Sequence, residues 1–426
     1  MKPRTRPNTR AFLLLPLCVL RLCAANTSEG AEPSTYRDLL EEAKRNNPGV
    51  QAAYNEWRAE RSKADIARAL PDPKLTYGYF IESVETRVGP QEQKAGISQE
   101  LPWFGKRAAR GKGQLARAEA AHERYRAAQL TLARDLRRAY AESWFLRQET
   151  ELIHQHVALL RDIERVAESR VRAGASASEV IKTQLEMARL EERALTLRDK
   201  QTPVNAALNA TLNRAADAPV EPIANLELRT ADLERLDLQT LETNPALVAL
   251  RHQQSGAEQD LRAARKDGLP NLTLGVEWIG IGDAAAPVAD SGKDAWMAGV
   301  GINLPLWRGK HAADVQRAAH ARNAFDFARQ QKANTLRAAL EAALANYREA
   351  VRKIALYNDS ILPRAEQLLE LNETDYRSGK ASFLDLIDTQ RTILRYQLEL
   401  ARARADSQIH LAEIETILGR TLPDEK

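Results

Sequence analysis

Cysteine is nearly missing. The 426 residues hold two, Cys18 and Cys23, both within the first 25. Beyond Ala25 the chain has no thiol, which excludes disulfides and every Cys-x-x-Cys metal or redox arrangement. Methionine is scarce too, at three residues, so no thioether path for soft metals exists. Seven histidines do not assemble a metal site. His154 and His156 are two apart and point to different sides of a helix, about 200° apart. No Gly-rich phosphate loop, nucleophile elbow or His-Glu-x-x-His occurs. Nothing calls for an enzyme, and no cofactor or metal is expected. No stretch approaches about 18 consecutive apolar residues, so no membrane-spanning helix is expected. The formal charge of +4 is carried by Lys2, Arg4, Arg6, Arg10 and Arg21, which face no acid in the first 25 residues. The rest of the chain nets −1, which gives no support to a nucleic-acid partner.

The N-terminus reads as a secretion signal over 1–25. A basic stretch to Arg10 precedes an apolar run, Ala11 to Leu20, too short to span a bilayer. Ala24 and Ala25 suit cleavage after Ala25. The other reading is acylation of Cys23, although Leu20-Arg21-Leu22 is a poor match to the small residues of a lipoprotein signal. An exported chain without a spanning helix is periplasmic, secreted or an outer-membrane β-barrel.

What is present is a duplication. Asn47-Pro48 recurs as Asn244-Pro245, and Leu70-Pro71 as Leu269-Pro270. Leu101-Pro102-Trp103-Phe104-Gly105-Lys106 recurs as Leu304-Pro305-Leu306-Trp307-Arg308-Gly309-Lys310. Arg172-Ala173-Gly174 recurs as Arg377-Ser378-Gly379, and Leu212-Asn213-Arg214 as Leu418-Gly419-Arg420. These landmarks divide the chain into a first repeat, 26–214, a linker, 215–228, a second repeat, 229–420, and a tail, 421–426.

Each half follows one plan: helix, two strands, very long helix, tight break, helix. Helices are expected over 36–69 and 229–267. Strands are expected over 74–82, 95–103, 271–281 and 295–305. In 271–278 Leu272, Leu274, Val276 and Trp278 share one face against Thr273, Gly275 and Glu277. In 296–304 Trp296, Ala298, Val300, Ile302 and Leu304 oppose Met297, Gly299, Gly301 and Asn303. This period of two over about ten residues suits a tilted strand crossing a bilayer. It also suits a half-buried hairpin in a soluble domain. Loops over 83–93 and 282–294 join the strands.

Helical hairpins follow over 105–212 and 309–418. Their first arms, 105–172 and 309–376, would each reach about 100 Å. Leu132, Ala139, Leu146, Ile153, Leu160 and Ala167 lie seven apart, as do Ala333, Leu340, Tyr347, Ile354, Ile361 and Leu368. Such a period implies helices supercoiled against neighbours. Pro363 should break or kink the second long helix. Four strands cannot close a barrel, for which about eight is the practical minimum, and lipid tolerates no open sheet edge. Membrane strands here would require several chains to share one barrel. Two copies supply eight strands and three supply twelve, and the spacing does not choose.

The duplicated plan, the Leu-Pro-Trp-Phe-Gly-Lys turn and the Arg-x-Gly breaks resemble the TolC family of outer-membrane efflux proteins over about 36–420. Ser98 to Arg107 is similar to the heavy-metal, CzcC-like branch. The resemblance implies a mainly α fold with a small transmembrane β-barrel contribution. It implies a homotrimer, with a twelve-stranded barrel in outer-membrane lipid and an α-helical periplasmic tunnel. The implied partners are a periplasmic adaptor (membrane fusion protein) and an inner-membrane pump of the RND type, with heavy-metal cations as cargo.

Asp385 and Asp388, three apart on one helix face, resemble the aspartate pair that lines the family's periplasmic constriction. Three copies would ring six carboxylates and favour cations. Solvated helix carboxylates are the plain alternative. The hairpin tips carry Arg172, Gly174 and Ser176, and Arg377, Gly379 and Lys380. They are candidates for docking the adaptor, or simple turns. Trp103, Trp278, Trp296 and Trp307 fall in or beside strands and suit an interfacial girdle; core packing is the alternative. A periplasmic coiled-coil scaffold without a pore is the competing function. It explains the helices and the signal but neither the strands nor the duplication.

Overall fold

The computed structural model describes residues 35–423, apart from 175, 222, 224, 232, 234–237, 379 and 381, and apart from the side chains of 238–240 and 377. The expected signal with Cys23, the tip residue Gly379 and tail residues 424–426 lie outside the described residues.

Helix α1 (Tyr36–Asn46) starts with a capping box, Thr35 and Asp38 bonding each other's backbone N–H. Asn47 then stops it and starts α2 (Pro48–Arg68). Its Oδ1 accepts from the N–H of Gly49 and Val50 at 3.0 and 3.2 Å, while Nδ2 donates to the carbonyl of Thr211. Pro48 takes the first helical position, where its missing N–H costs nothing. Asn244-Pro245 repeats the device at α5 (Pro245–Asp267): Asn244 Oδ1 accepts from Ala246 N and Nδ2 donates to the carbonyl of Ile417. Among the described residues, the helix expected from 229 begins at Pro245. Proline disfavours the α region in the residue before it, and a 3₁₀ turn, Leu238–Thr243, precedes it. Nor is 215–228 a free linker: Ile223 and Leu226 are buried beside α1, α3 and α4.

Strands β1 (Lys74–Thr86) and β2 (Gly89–Leu101) run longer than expected. The loop expected over 83–93 is a hairpin arm closing on Arg87-Val88. The register slips between Tyr79 and Val84, and that irregularity is where the alternation in the sequence fades. Strands β3 (Leu272–Ile281) and β4 (Ala295–Ile302) stop short of Leu304 and are joined by 282–294. The sheet is antiparallel throughout, in the order β1-β2-β3-β4. Among the described residues, no strand covers the outer side of β1 or β4.

Helix α3 (Lys106–Arg172), 67 residues, runs about 100 Å and folds back into α4 (Ser178–Leu212). In the second repeat, α6 (Arg308–Leu356) passes through a π-turn, Tyr357–Ile361, into α7 (Leu362–Arg377), then α8 (Phe383–Leu418). Near the sheet the neighbours run α2-α3-α5-α6; further down they run α4-α3-α8, with α6 and α7 beside α8. The protomer is therefore a wall, with α3 inside it along its whole length and free margins on both sides. No helix among the described residues is long and apolar enough to cross a membrane.

The heptad row of α3 is buried from Leu132 to Ala167. The second row holds through Ala333, Leu340 and Tyr347 and then fails, with Leu368 half exposed. The π-turn inserts one residue into the repeat. Beyond it the seam moves on by one, to Leu369 and the buried Tyr376. Pro363, which has no N–H to offer Asp359 one turn back, sits at the start of α7 and localises the disturbance.

Candidate pore wall and periplasmic gate

The ladder aligns the four alternations into two continuous faces. Tyr77, Ala95, Trp278 and Trp296 lie in one row, and Leu75, Ile97, Val276 and Ala298 in the next. The opposite face carries Thr76, Gly96, Glu277 and Met297 in one row, with Gly78 and Lys94 beside it. Lys94 Nζ and Glu277 Oε1 are 3.5 Å apart there. One face is thus apolar and aromatic, the other small and polar, as a strand between lipid and an aqueous lumen requires. A face of Leu, Tyr, Val and Trp left open to water would be costly.

The four tryptophans fall at two levels. Trp278 and Trp296 are direct cross-strand partners near the loop end, and Trp278 Nε1 donates to Asp294 Oδ2 at 3.0 Å. Trp103 and Trp307 lie past the strand ends, where the helices begin, and both are exposed. The levels are about 20 Å apart, at roughly 3.3 Å per residue from Trp278 to Leu272.

At the far end, Arg172, Gly174, Ser176 and Lys380 are exposed. Gly174 turns the chain at φ +97, a value that side chains with a Cβ rarely take, and no atom lies near its missing Cβ. Ser176 Oγ accepts from Ser178 N.

Asp385 and Asp388 are both exposed on α8. They are not equivalent. Asp385 closes the capping box of α8: its Oδ2 accepts from Ser382 N at 3.1 Å and from Ser382 Oγ at 2.8 Å. Asp388 is the freer of the two. It lines a groove between α4 and α8 with Arg189 and Arg391, so its field is shared with cations.

Sequence reading missed the contacts that tie the two hairpins together. Tyr376 Oη donates to Glu179 Oε2 at 2.8 Å, and the Arg170 guanidinium lies 4.4 Å from the Tyr376 ring centre. Burial, and then the bond to Glu179, push the Tyr376 hydroxyl above its usual pKa, so it stays a donor. Arg391 Nη2 donates to the buried Glu186 at 2.6 Å. Only Tyr376 had a signal in sequence, as an aromatic one residue off the heptad. Among the described residues no group of acids and histidines could hold a metal ion.

A sequence model of the outer membrane efflux protein family matches residues 39–214 and 238–420. This chain belongs to the outer membrane efflux protein family. Among its relatives is the cobalt-zinc-cadmium resistance protein CzcC of Cupriavidus metallidurans, 24% identical, with 92% of this chain and 91% of that protein covered. The pyoverdine export outer membrane protein OpmQ of Pseudomonas putida is also 24% identical, over 85% and 81%. Among solved structures, the transmembrane channel protein CusC superposes with a TM-score of 0.78 at 17% identity, covering 91% of this chain and 92% of that one. The fold is that of the TolC-like channels. As an outer membrane efflux protein the chain resides in the outer membrane and extends into the periplasm, and its family is one of transport ducts, not enzymes. A pore-less scaffold is no longer a competing description.

Proposed function

We propose that three copies of this chain close a twelve-stranded barrel in the outer membrane, continue it as a helical tunnel, and pass metal cations outward from an inner-membrane pump. The observation that carries this is the pair of free margins. β1 and β4 have unpaired sides, and the helical wall beneath has matching open flanks at α2 and α4 on one side and α6 on the other. Unpaired strand edges are not tolerated in lipid, and a ring of identical copies satisfies them all. In this reading the tip residues, Arg172, Gly174, Ser176, Arg377, Gly379 and Lys380, dock the adaptor. The two tryptophan levels mark the membrane interfaces. The contact of Tyr376 with Glu179 holds the hairpins together at the inner end.

Support for a metal cargo comes from the CzcC likeness over nearly the whole chain and from the carboxylates at 385 and 388. A siderophore-type organic cargo is the second reading, favoured by the OpmQ match at equal identity. Planar-bilayer recordings test the duct. The wild type should conduct with cation preference, and Asp385→Ala with Asp388→Ala should move the reversal potential toward zero in a salt gradient. Asp388 should supply most of the change. An unchanged reversal potential removes the carboxylate ring. In cells, loss of the gene should sensitise to zinc or cadmium; unaltered metal tolerance with loss of siderophore release would decide for the second cargo.

A further inference from the structure

At the foot of the sheet, where strands give way to helices, a groove of about 660 Å³ opens on the protein surface. Leu101, Trp103, Phe104 and Leu272 form its apolar part, and Arg68, Arg107 and Lys112 its polar part; among the described residues no acid lines it. Leu101 and Leu272 are cross-strand partners on the apolar face of the sheet, so the groove continues the surface read above as facing lipid. Residues of α2, β2, α3 and β3 of one protomer line it, and of these elements only α2 stands at a margin, so the groove is complete within one chain.

Two of the three cations are placed by contacts within the protomer. Arg107 Nε donates to the carbonyl of Arg68 at 2.9 Å, which fixes its guanidinium at the end of α2. The glycine at 111 makes room for the Arg68 side chain against α3: a Cβ there would collide with Arg68 Cγ. Neither Arg68 nor Lys112 pairs with an acid among the described residues. The groove also borders the start of α3, which has no side-chain cap and no acid in its first turn. Free N–H groups and the positive end of a long helix are therefore available to an anion.

We propose that this groove holds an anionic phospholipid of the periplasmic leaflet. Its phosphate lies among Arg68, Arg107 and Lys112 at the start of α3, and its acyl chains run over Leu101 and Leu272 onto the sheet. Phe104, 85% exposed, lies over the glycerol region, where aromatic rings favour the boundary between chains and headgroups. Three cations without an acid select a net negative headgroup over a zwitterion. Apolar lining continuous with the barrel face selects a lipid over a soluble phosphate. The inference rests on the membrane reading and adds a defined headgroup site to it.

Native mass spectrometry of the detergent-purified protein tests it, with phosphatidylglycerol and phosphatidylcholine titrated separately. Phosphatidylglycerol should bind about tenfold or more tightly than phosphatidylcholine. Arg68→Gln with Lys112→Gln should bring the two lipids within about twofold, with phosphatidylcholine binding and the assembly mass unchanged. Gly111→Ala, which displaces Arg68 without removing a charge, should lower the preference as well. Equal affinity for the two lipids in the wild type overturns the proposal, as does a preference that survives the double substitution. Competition by chain-free glycerophosphoglycerol at the lipid's own concentration overturns it too. Failure of the membrane reading would look different: no lipid of either charge retained, and a monomeric mass.

Discussion

His156 sits on α3 facing α8, with Nε2 3.0 Å from Gln397 Oε1. Burial lowers its pKa below the ordinary 6.5, and the bond to Gln397 only partly opposes this. The fold therefore favours the neutral ring. An unfolded chain takes up its proton near the ordinary value, so stability from this residue is full above that pH. It falls as the pH drops through 6.5 toward the depressed folded value. The thermal midpoint of the purified protein should be lower at pH 5.5 than at pH 7.5, and His156→Gln should reduce that difference. Equal acid sensitivity in the two proteins would discard the assignment. At this scale the placement of two aspartates on one exposed helix face was legible. Asp385 and Asp388 stand out as a pair, and the Ser382-x-x-Asp385 spacing already contained the capping box that sets them apart. The bond from Tyr376 to Glu179 was not legible, because it joins residues 197 apart and nothing local signals it.

The π-turn is the feature of the elements most open to test. Deleting Asp359 should convert Tyr357–Ile361 to regular α-helix and pull the seam back by one residue. The buried Tyr376 and the partly buried Leu369 would then leave the seam, and the bond to Glu179 would be lost. The expected readouts are faster proteolysis near residue 378 and larger or more frequent openings in bilayers. An unaffected protease pattern would mean that the seam does not depend on the inserted residue. The heptads made the long helices legible to within a residue or two at most ends, since a regular period survives over many turns. Where the period slips, reading failed. A one-residue phase shift hides in the second heptad row until the burial of Tyr376 shows it. The bulge between Tyr79 and Val84 cut two strands short on paper. A 3₁₀ turn stands at Leu238–Thr243 where the composition reads as helical, because a proline cap and the burial of Leu241 among neighbouring helices override it.

For the whole molecule, the free margins predict which parts of neighbouring copies meet. No native cysteine lies beyond Cys23, so with Cys18 and Cys23 replaced by serine the engineered thiols report cleanly. Thr76→Cys on β1 and Gly299→Cys on β4, both on the polar face, should link into dimers and trimers with a short bismaleimide when carried by one chain. Neither substitution alone should do so. Absence of linked trimers from the double variant, in protein that still conducts, would require a different pairing of the edges. The same margins bear on inheritance. A copy with a sound β1 and a spoiled β4 can join a sister at one flank and then block the ring from closing. Under the three-copy ring proposed above, only about one assembly in eight would escape it at equal dosage. Lesions in the outermost strand should therefore behave as dominant, while lesions that unfold the whole chain should be recessive.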